Sequence, residues 1–171
     1  MMSNKYPRTA RTELFSLLLL LTLPFTANAL EGDKDQPIYV EADSVDIDDA
    51  KGTSTYRGNV ELTQGSIRLT AAQVVVTQSQ GRSDQILATG NPVTYRRETE
   101  GDKGMIKARG RTIEYRADSE ILYLIGDAVL SQGKDSFKSD RITYDRVKAV
   151  VKAGASAKGK QRVRTTISSG K

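Results

Sequence analysis

The sequence predicts an elongated all-β fold in which antiparallel strands stack as four repeats of about 30 residues. Two observations lead to this prediction. Apolar and polar residues alternate almost everywhere after Pro37, as they do in half-buried strands. A strand pattern with an apolar residue followed two places later by a small one also recurs four times. A unit of this kind buries its apolar face only against its neighbours, so the repeat predicts a continuous interior.

Small residues mark the repeat. In one series they are separated by 29, 37 and 31 positions, at Ala42, Ala71, Ala108 and Ser139. A glycine series interleaves with it, at Gly58, Gly90, Gly126 and, more weakly, Gly154. In residues 90–93 the apolar residue comes one place later than in residues 58–60, which predicts a β-bulge there. Turns rich in Gly and Asp separate the strands, so consecutive antiparallel hairpins are expected.

Residues 1–29 are predicted to be a cleaved secretory signal peptide. Lys5, Arg8 and Arg11 precede an apolar run from Leu14 to Leu23, and residues 27–29 (Ala-Asn-Ala) form a cleavage site. A membrane span needs about 20 apolar residues, and this run is much shorter. The sequence therefore predicts an exported protein.

The mature chain is long enough for one domain. Removal of residues 1–29 takes three basic residues and one acidic residue from totals of 26 and 21, leaving 23 and 20 and a net charge of +3. Residues 30–36 are a polar lead-in, and residues 37–157 are predicted to form the β domain. Residues 158–171 are a basic segment predicted to hold a last edge strand and a mobile tail.

Cysteine and histidine are both absent. Their absence excludes disulfides, thiol chemistry and cysteine metal sites, and it removes the commonest general base and metal ligand. We therefore expect no catalytic residues, no cofactor and no metal. The only adjacent acidic pair, Asp48 and Asp49, lies in a predicted turn, where aspartate has an ordinary structural role.

The apolar face mixes bulky residues with small ones and has few aromatics. It can be read as an ordinary β-sandwich core, which is the usual place of apolar side chains. The core is the better interpretation for any single residue, and the alternative is a groove that takes acyl chains, because apolar ligands need apolar, concave sites. The strands at the two ends of the stack are predicted to be open edges able to pair with partners by strand addition.

Four segments of the chain together resemble a known family: residues 35–43, 58–67, 72–77 and 126–128. They are similar to the OstA-like family of periplasmic lipopolysaccharide transport proteins, the LptA family. The resemblance extends over residues 33–166. It implies a slightly twisted, V-shaped antiparallel β jelly roll that binds the lipid A part of lipopolysaccharide.

The resemblance also implies a role and partners. Copies would pair head to tail as a periplasmic bridge between the inner and outer membranes. The N-terminal edge would meet an LptC-like protein of the inner-membrane transport complex, and the C-terminal edge an LptD-like protein of the outer-membrane translocon. The expected partner-binding residues of these edges are Ile38, Tyr39, Val40, Val163 and Ile167.

The expected lipid-binding residues lie on the inner apolar face. Family positions that face acyl chains correspond to five residues, and the alternation of the sequence places the same side chains inward: Ile38, Val40, Tyr95, Ile113 and Tyr115. Other apolar positions of this face complete the predicted set: Val60, Leu62, Val76, Leu124 and Ile142.

Nucleic-acid binding and a structural filament are the two alternatives to lipid transport. Nucleic-acid binding is suggested by the calculated pI of 9.4 and by the pairs Arg109/Arg111 and Arg162/Arg164, but export and the nearly balanced mature charge argue against it. These basic residues could instead meet lipopolysaccharide phosphates near the rim of a groove. A structural periplasmic filament without lipid would show the same alternation, so the sequence leaves it as the alternative.

Overall fold

The computed structural model describes residues 32–79, 82–99, 104–154 and 162–168. The predicted signal peptide lies outside these residues. The described chain forms one antiparallel sheet, so the prediction of an all-β fold built from consecutive hairpins is confirmed. A short 3₁₀ helix, Asp33–Asp35, precedes the sheet. No helix in the described part of the chain is long and apolar enough to cross a membrane.

The sheet contains ten strands in chain order, and the central ones are long. Their bounds are β1 Tyr39–Glu41, β2 Ser44–Asp48, β3 Thr53–Gln64, β4 Ile67–Ser79, β5 Arg82–Glu98, β6 Met105–Arg116, β7 Ile121–Gln132, β8 Asp135–Asp145, β9 Val150–Gly154 and β10 Arg164–Thr166. Alternating apolar residues and the frequent Val, Ile, Thr and Tyr favour these strands, and glycine turns at positive φ, such as Gly65 and Gly133, separate them.

Each edge of the sheet is shared by two short strands. At one edge, β1 and β2 both pair with β3, β1 along residues 61–63 and β2 along residues 53–57. At the other edge, β9 and β10 both pair with β8, β9 along residues 141–145 and β10 along residues 136–138. The sheet is therefore eight strand positions wide, and each edge position is interrupted in the middle.

These interruptions belong to a line that crosses the whole sheet, which we call the fold line. The strand pairing is irregular at a corresponding place in each of the five central strand pairs: between 57 and 60, 70 and 73, 89 and 93, 109 and 112, and 125 and 128. A second irregularity, between Thr77 and Gln78, lies near the end of β4 and is not part of this line. The irregularity between Thr89 and Val93 confirms the predicted bulge. Gly58 and Gly126 adopt positive φ there, each followed by a residue that also has positive φ.

The small residues of the sequence pattern lie mainly on the fold line. Gly58, Gly90 and Gly126 occupy it in β3, β5 and β7, and Ala71 of β4 lies directly beside it. In β6 the residue on the line is Gly110, whereas Ala108 is two residues away and buried. A Cβ at Gly110 would lie 3.1 Å from the carbonyl oxygen of Ile125, so the neighbouring backbone approaches closely at this point. The period of four repeats stays a prediction.

The fold line divides the sheet into two arms. Arm A contains β1, β10 and the segments 60–64, 67–71, 93–98, 105–109, 128–132 and 135–139. Arm B contains β2, β9 and the segments 53–57, 73–77, 85–89, 112–116, 121–125 and 141–145. Apolar side chains from the same face of both arms form a single buried cluster. A lone sheet can bury one face only by folding onto itself, so the two arms close against each other.

The lead-in of residues 32–36 is attached to arm A. The Asp33 carboxylate accepts hydrogen bonds from the backbone N–H and the hydroxyl of Ser66, at 2.7 and 2.9 Å. It also lies 3.7 Å from Nε of Arg97, and both side chains are largely buried. Asp33 therefore joins the segment before β1 to the β3–β4 turn and to β5.

Replacement of Gly58 by alanine is expected to lower the free energy of unfolding by about 1–3 kcal/mol, because φ at this residue is +78° and a Cβ would overlap the Asp43 carboxylate. Urea unfolding measures the change. Gly154→Ala is the control, since a Cβ there meets nothing within 4 Å, and its effect should stay within about 0.5 kcal/mol. Equal losses in both variants would contradict the role assigned to the fold line.

Candidate functional site

All ten residues of the predicted lipid-binding set lie on the inner face of the folded sheet. Seven of them are buried: Val60, Leu62, Val76, Tyr95, Ile113, Leu124 and Ile142. The other three, Ile38, Val40 and Tyr115, are partly buried and pack against the same cluster. The structure thus brings the whole set together. Whether these residues bind lipid stays a prediction.

Apolar rows cross the inner face from edge to edge. One row in arm B contains an apolar side chain at all eight strand positions: Val45, Tyr56, Val74, Ala88, Ile113, Leu124, Ile142 and Ala153. The sequence alternation gave the inward direction of these residues, but their order across the sheet follows from the strand register.

The space between the arms is almost filled. One cavity there has a volume of about 20 Å³, which is room for about one water molecule. Its lining comes from both arms: Leu62, Gln64, Ile67, Leu69 and Tyr95 of arm A, and Ile86, Tyr115, Leu122 and Arg146 of arm B or its β8–β9 turn. The inner face is therefore a closed apolar seam between the arms.

Two polar groups stand unpaired beside this cavity. The hydroxyl of Tyr95 and Nε of Arg146 are buried, and neither has a hydrogen-bond partner among the described residues. The Arg146 guanidinium lies 5.2 Å from the centre of the Tyr115 ring. Burial raises the pKa of Tyr95 to about 12, although the positive charges of Arg146 and Arg97 act in the opposite direction. Tyr95 therefore remains an uncharged hydroxyl at neutral pH.

Sequence reasoning did not identify Arg146 as a site residue. It lies in the turn between β8 and β9, outside the alternating pattern, and it approaches Tyr115 and Tyr95 only after the sheet has folded. No local signal in the sequence indicates this contact.

The arms do not cover each other at the two edges. On the inner face of arm B, Val45 and Ile47 of β2 are 54% and 60% exposed. On the inner face of arm A at the opposite edge, Val163 and Ile167 beside β10 are 43% and 73% exposed. The predicted edge residues Ile38 and Val40 are only half-buried. Each edge therefore presents apolar side chains next to backbone groups that no other strand of the described chain pairs with.

The arginines that suggested nucleic-acid or phosphate contacts do not line the seam. Arg109 and Arg164 share a row with Lys138 on the outer face of arm A, in two concavities of about 540 and 750 Å³. Arg111 is instead paired with Asp127 at 2.8 Å next to the fold line. In the described part of the chain, no group of His, Cys, Asp or Glu is arranged to hold a metal ion.

Comparison with known proteins identifies the family. Residues 39–150 match the family described as LptA/(LptD N-terminal domain) lipopolysaccharide transport protein. The chain belongs to this family. The match begins with β1 and ends with the first residue of β9, so it spans the fold line and both arms.

Individual relatives agree over most of their length. The chain is 38% identical over 129 residues to the lipopolysaccharide export system protein LptH of Pseudomonas aeruginosa, covering 75% of this chain and 74% of that protein. It is 35% identical over 156 residues to the lipopolysaccharide export system protein LptA of Escherichia coli K12, covering 90% and 82%.

A solved structure has the same fold. The crystal structure of LptH, the LptA-homologous periplasmic component of the lipopolysaccharide transport device of P. aeruginosa, superposes with a TM-score of 0.74 at 33% identity. The superposition covers 80% of this chain and 99% of the LptH chain. The antiparallel all-β fold expected from the resemblance is therefore confirmed.

The buried Tyr95 hydroxyl predicts a loss of stability at high pH. The fold favours the uncharged phenol, so this contribution is complete below pH 10 and is lost as the pH rises towards the folded-state pKa of about 12. The free energy of unfolding of the wild type should fall by about 2 kcal/mol relative to Tyr95→Phe between pH 9 and 12. Guanidinium unfolding across this range measures the difference, with Tyr39→Phe as the exposed control. An equal effect at both tyrosines would refute the assignment.

Proposed function

We propose that this chain is a periplasmic lipopolysaccharide-binding bridge protein, which carries lipopolysaccharide between the inner and outer membranes along its inner face. The apolar row that crosses the sheet without interruption, from Val45 to Ala153, is the observation that carries this proposal. A purely structural sheet needs a buried core only at its centre. A path for acyl chains needs an apolar surface that reaches both edges, as this row does.

Acyl chains are the ligand class that matches the apolar chemistry of the seam. Burial of apolar surface is favourable by about 25 cal/mol per Å², and each buried methylene contributes about 0.8 kcal/mol. The inner face offers such a surface with almost no charge: of the residues lining the cavity between the arms, only Arg146 is charged. The unpaired Tyr95 hydroxyl and Arg146 give this apolar seam one polar position, suited to an ester or phosphate oxygen.

Lipid entry must separate the arms. The cavity of about 20 Å³ cannot hold an acyl chain, so the chain has to replace contacts that the arms now make with each other. This exchange costs little, because one apolar neighbour takes the place of another. The open edges are the natural places for it to begin, since Val45, Ile47, Val163 and Ile167 are already exposed there.

Transport across the periplasm requires more than one sheet, and the edges provide for it. The edge strands β1 and β2 at one end, and β9 and β10 at the other, are each paired on one side only among the described residues, so they can add further strands. Copies joined head to tail would continue the inner face from one sheet to the next. The family resemblance assigns the N-terminal edge to an LptC-like protein and the C-terminal edge to an LptD-like protein, and both contacts would use the same strand addition.

The alternative is a periplasmic filament that carries no lipid. It would use the same edges and the same core. The names of the relatives, which describe lipopolysaccharide export, favour transport instead. The predicted signal peptide and the periplasmic LptH structure agree on the compartment. Catalysis and a cofactor have no part in this proposal.

Photo-crosslinking in living cells separates the two functions. Benzoylphenylalanine replaces Tyr115, which is half-buried on the inner face beside the cavity. The matched control replaces Tyr123, an aromatic residue on the outer face next to Arg116 and Arg141. A lipopolysaccharide adduct at position 115, at least several times stronger than at position 123, is expected. Adducts at neither position in folded protein would support the filament, and equal adducts would refute an internal path.

A further inference from the structure

The two edges of the sheet carry opposite charge. Along the first edge, residues 39–49 contain acidic side chains and no basic ones: Glu41, Asp43, Asp46, Asp48 and Asp49. Lys51, in the turn that follows, is paired with Asp48 and leaves the other four carboxylates uncompensated by it. Along the last edge, the described residues 150–154 and 162–168 contain basic side chains and no acidic ones: Lys152, Arg162 and Arg164. Contact between two first edges or two last edges would bring like charges together, so the charges favour contact between unlike edges.

The number of strands fixes how unlike edges can pair. Neighbouring strands are antiparallel across all eight positions, so the two edge strands of one sheet run in opposite directions. When one copy follows another in the same orientation, the last edge of the first copy meets the first edge of the next as an antiparallel pair. The joint can therefore have the same hydrogen-bonding pattern as the sheet itself.

We propose that the joint between copies continues the rows of the sheet without a shift in register, and that it is specified by two ion pairs. This inference rests on the proposed head-to-tail association and defines its geometry. One row of directly opposite residues in arm A begins at Arg164 on the last edge and ends at Glu41 on the first edge, passing through Lys138, Val129, Arg109 and Glu61. When the next copy continues this row, Arg164 lies opposite Glu41 of that copy.

The second ion pair forms in arm B by the same construction. The row that begins at Asp46 on the first edge ends at Lys152 on the last edge. When the next copy continues this row, Lys152 lies opposite Asp46 of that copy. All four side chains are exposed, and none of them forms an ion pair with another described residue of its own chain. Pairs of opposite charge directly across antiparallel strands stabilise the pairing.

The exposed apolar side chains support the same register. On the inner face of arm B, Ala153 would lie beside Val45 and Val151 beside Ile47 of the next copy. In arm A, extension of the β10 register places Ile167 beside Ile38 of the next copy. The edge residues that are exposed in the single chain thus obtain apolar neighbours. A joint of this kind also continues the apolar seam between copies.

A shifted register would lose either the ion pairs or the alignment of the interruptions in the two edges. A shift of two residues in one direction would place Arg164 opposite Tyr39 and Lys152 opposite Ser44, without ion pairs. The opposite shift would place Lys152 opposite Asp48 but Arg164 opposite Asp43, which lies in the interruption between β1 and β2. The interruption between β9 and β10 in the last edge would then no longer lie opposite the interruption between β1 and β2 of the next copy. Both arms can pair together only when these interruptions coincide.

Disulfide crosslinking tests the register directly, because the chain has no cysteine of its own. A Tyr39→Cys protein is mixed with a Thr166→Cys protein, and separately with a Ser168→Cys protein as the control. Residues directly opposite each other in an antiparallel pair lie within disulfide range, at about 4.5–5.5 Å between Cα atoms. In the proposed register Tyr39 faces Thr166, whereas a shift of two residues would bring it opposite Ser168.

The crosslinking outcomes separate the register from the association itself. Dimers formed at least tenfold faster with Thr166→Cys than with Ser168→Cys are the expected result. Faster crosslinking with Ser168→Cys, or equal crosslinking with both, would overturn the register while leaving head-to-tail association in place. No crosslink with either, in protein that sediments as a monomer, would overturn the association and with it the stacked bridge.

Charge exchange tests the ion pairs. Glu41→Lys/Asp46→Lys and Lys152→Glu/Arg164→Glu should each associate with themselves roughly tenfold or more weakly than the wild type at low salt. An equimolar mixture of the two variants should recover the wild-type association, because every joint in the mixture can then join opposite charges. The differences should shrink at 1 M salt. If the disulfides form in the proposed register but the mixture does not recover the wild-type association, the ion pairs do not specify the joint, and the register itself still stands.

Discussion

The need to bury one face of a single sheet constrains the rest of this structure. The described chain has no second layer: its one short 3₁₀ helix only attaches the lead-in to arm A, and no α-helix or separate sheet covers the inner face. Its apolar side chains can leave water only if the sheet closes on itself, and long strands with regular pairing resist such a bend. The irregular pairings and the residues at positive φ on the fold line allow it. Closure of the two arms then buries residues as distant in sequence as Val60 and Ile142 in one cluster.

The same closure gives the seam two roles that oppose each other. In the single chain the seam is a well-packed core, and packing of this kind stabilises the fold. In the proposed transport function it must also receive acyl chains, which can enter only by displacing the contacts between the arms. The sheet can tolerate this because its hydrogen bonds run within each arm and across neighbouring strands. Separation of the arms therefore breaks apolar contacts and leaves the strand pairing intact, and an acyl chain restores the lost apolar contacts.

The edges couple this interior to the neighbouring molecules. The strands at an edge offer hydrogen bonds, inward apolar side chains and outward charges in a fixed relation, because the register of the sheet sets all three. Continuation of the rows between copies thus aligns the backbone, the apolar seam and the charges together. The interrupted edges β1/β2 and β9/β10 add a further restriction, since a partner must fit both arms at once. A lipid path that passes through several copies needs this alignment to remain continuous.

The strands, the face on which their side chains lie and the bulge near Gly90 could be predicted from the sequence, because these depend on the alternation of neighbouring residues. The sequence placed Ile113 inward and Glu114 outward for that reason. The family motifs added the expected shape and function. Four other features are set only when the sheet folds: the seam is closed, Arg146 reaches Tyr115, Gly110 takes the position expected for Ala108, and Val45 and Ile47 remain uncovered. These features depend on how far the sheet folds and twists, which is the sum of many strand pairings and has no local signal in the chain.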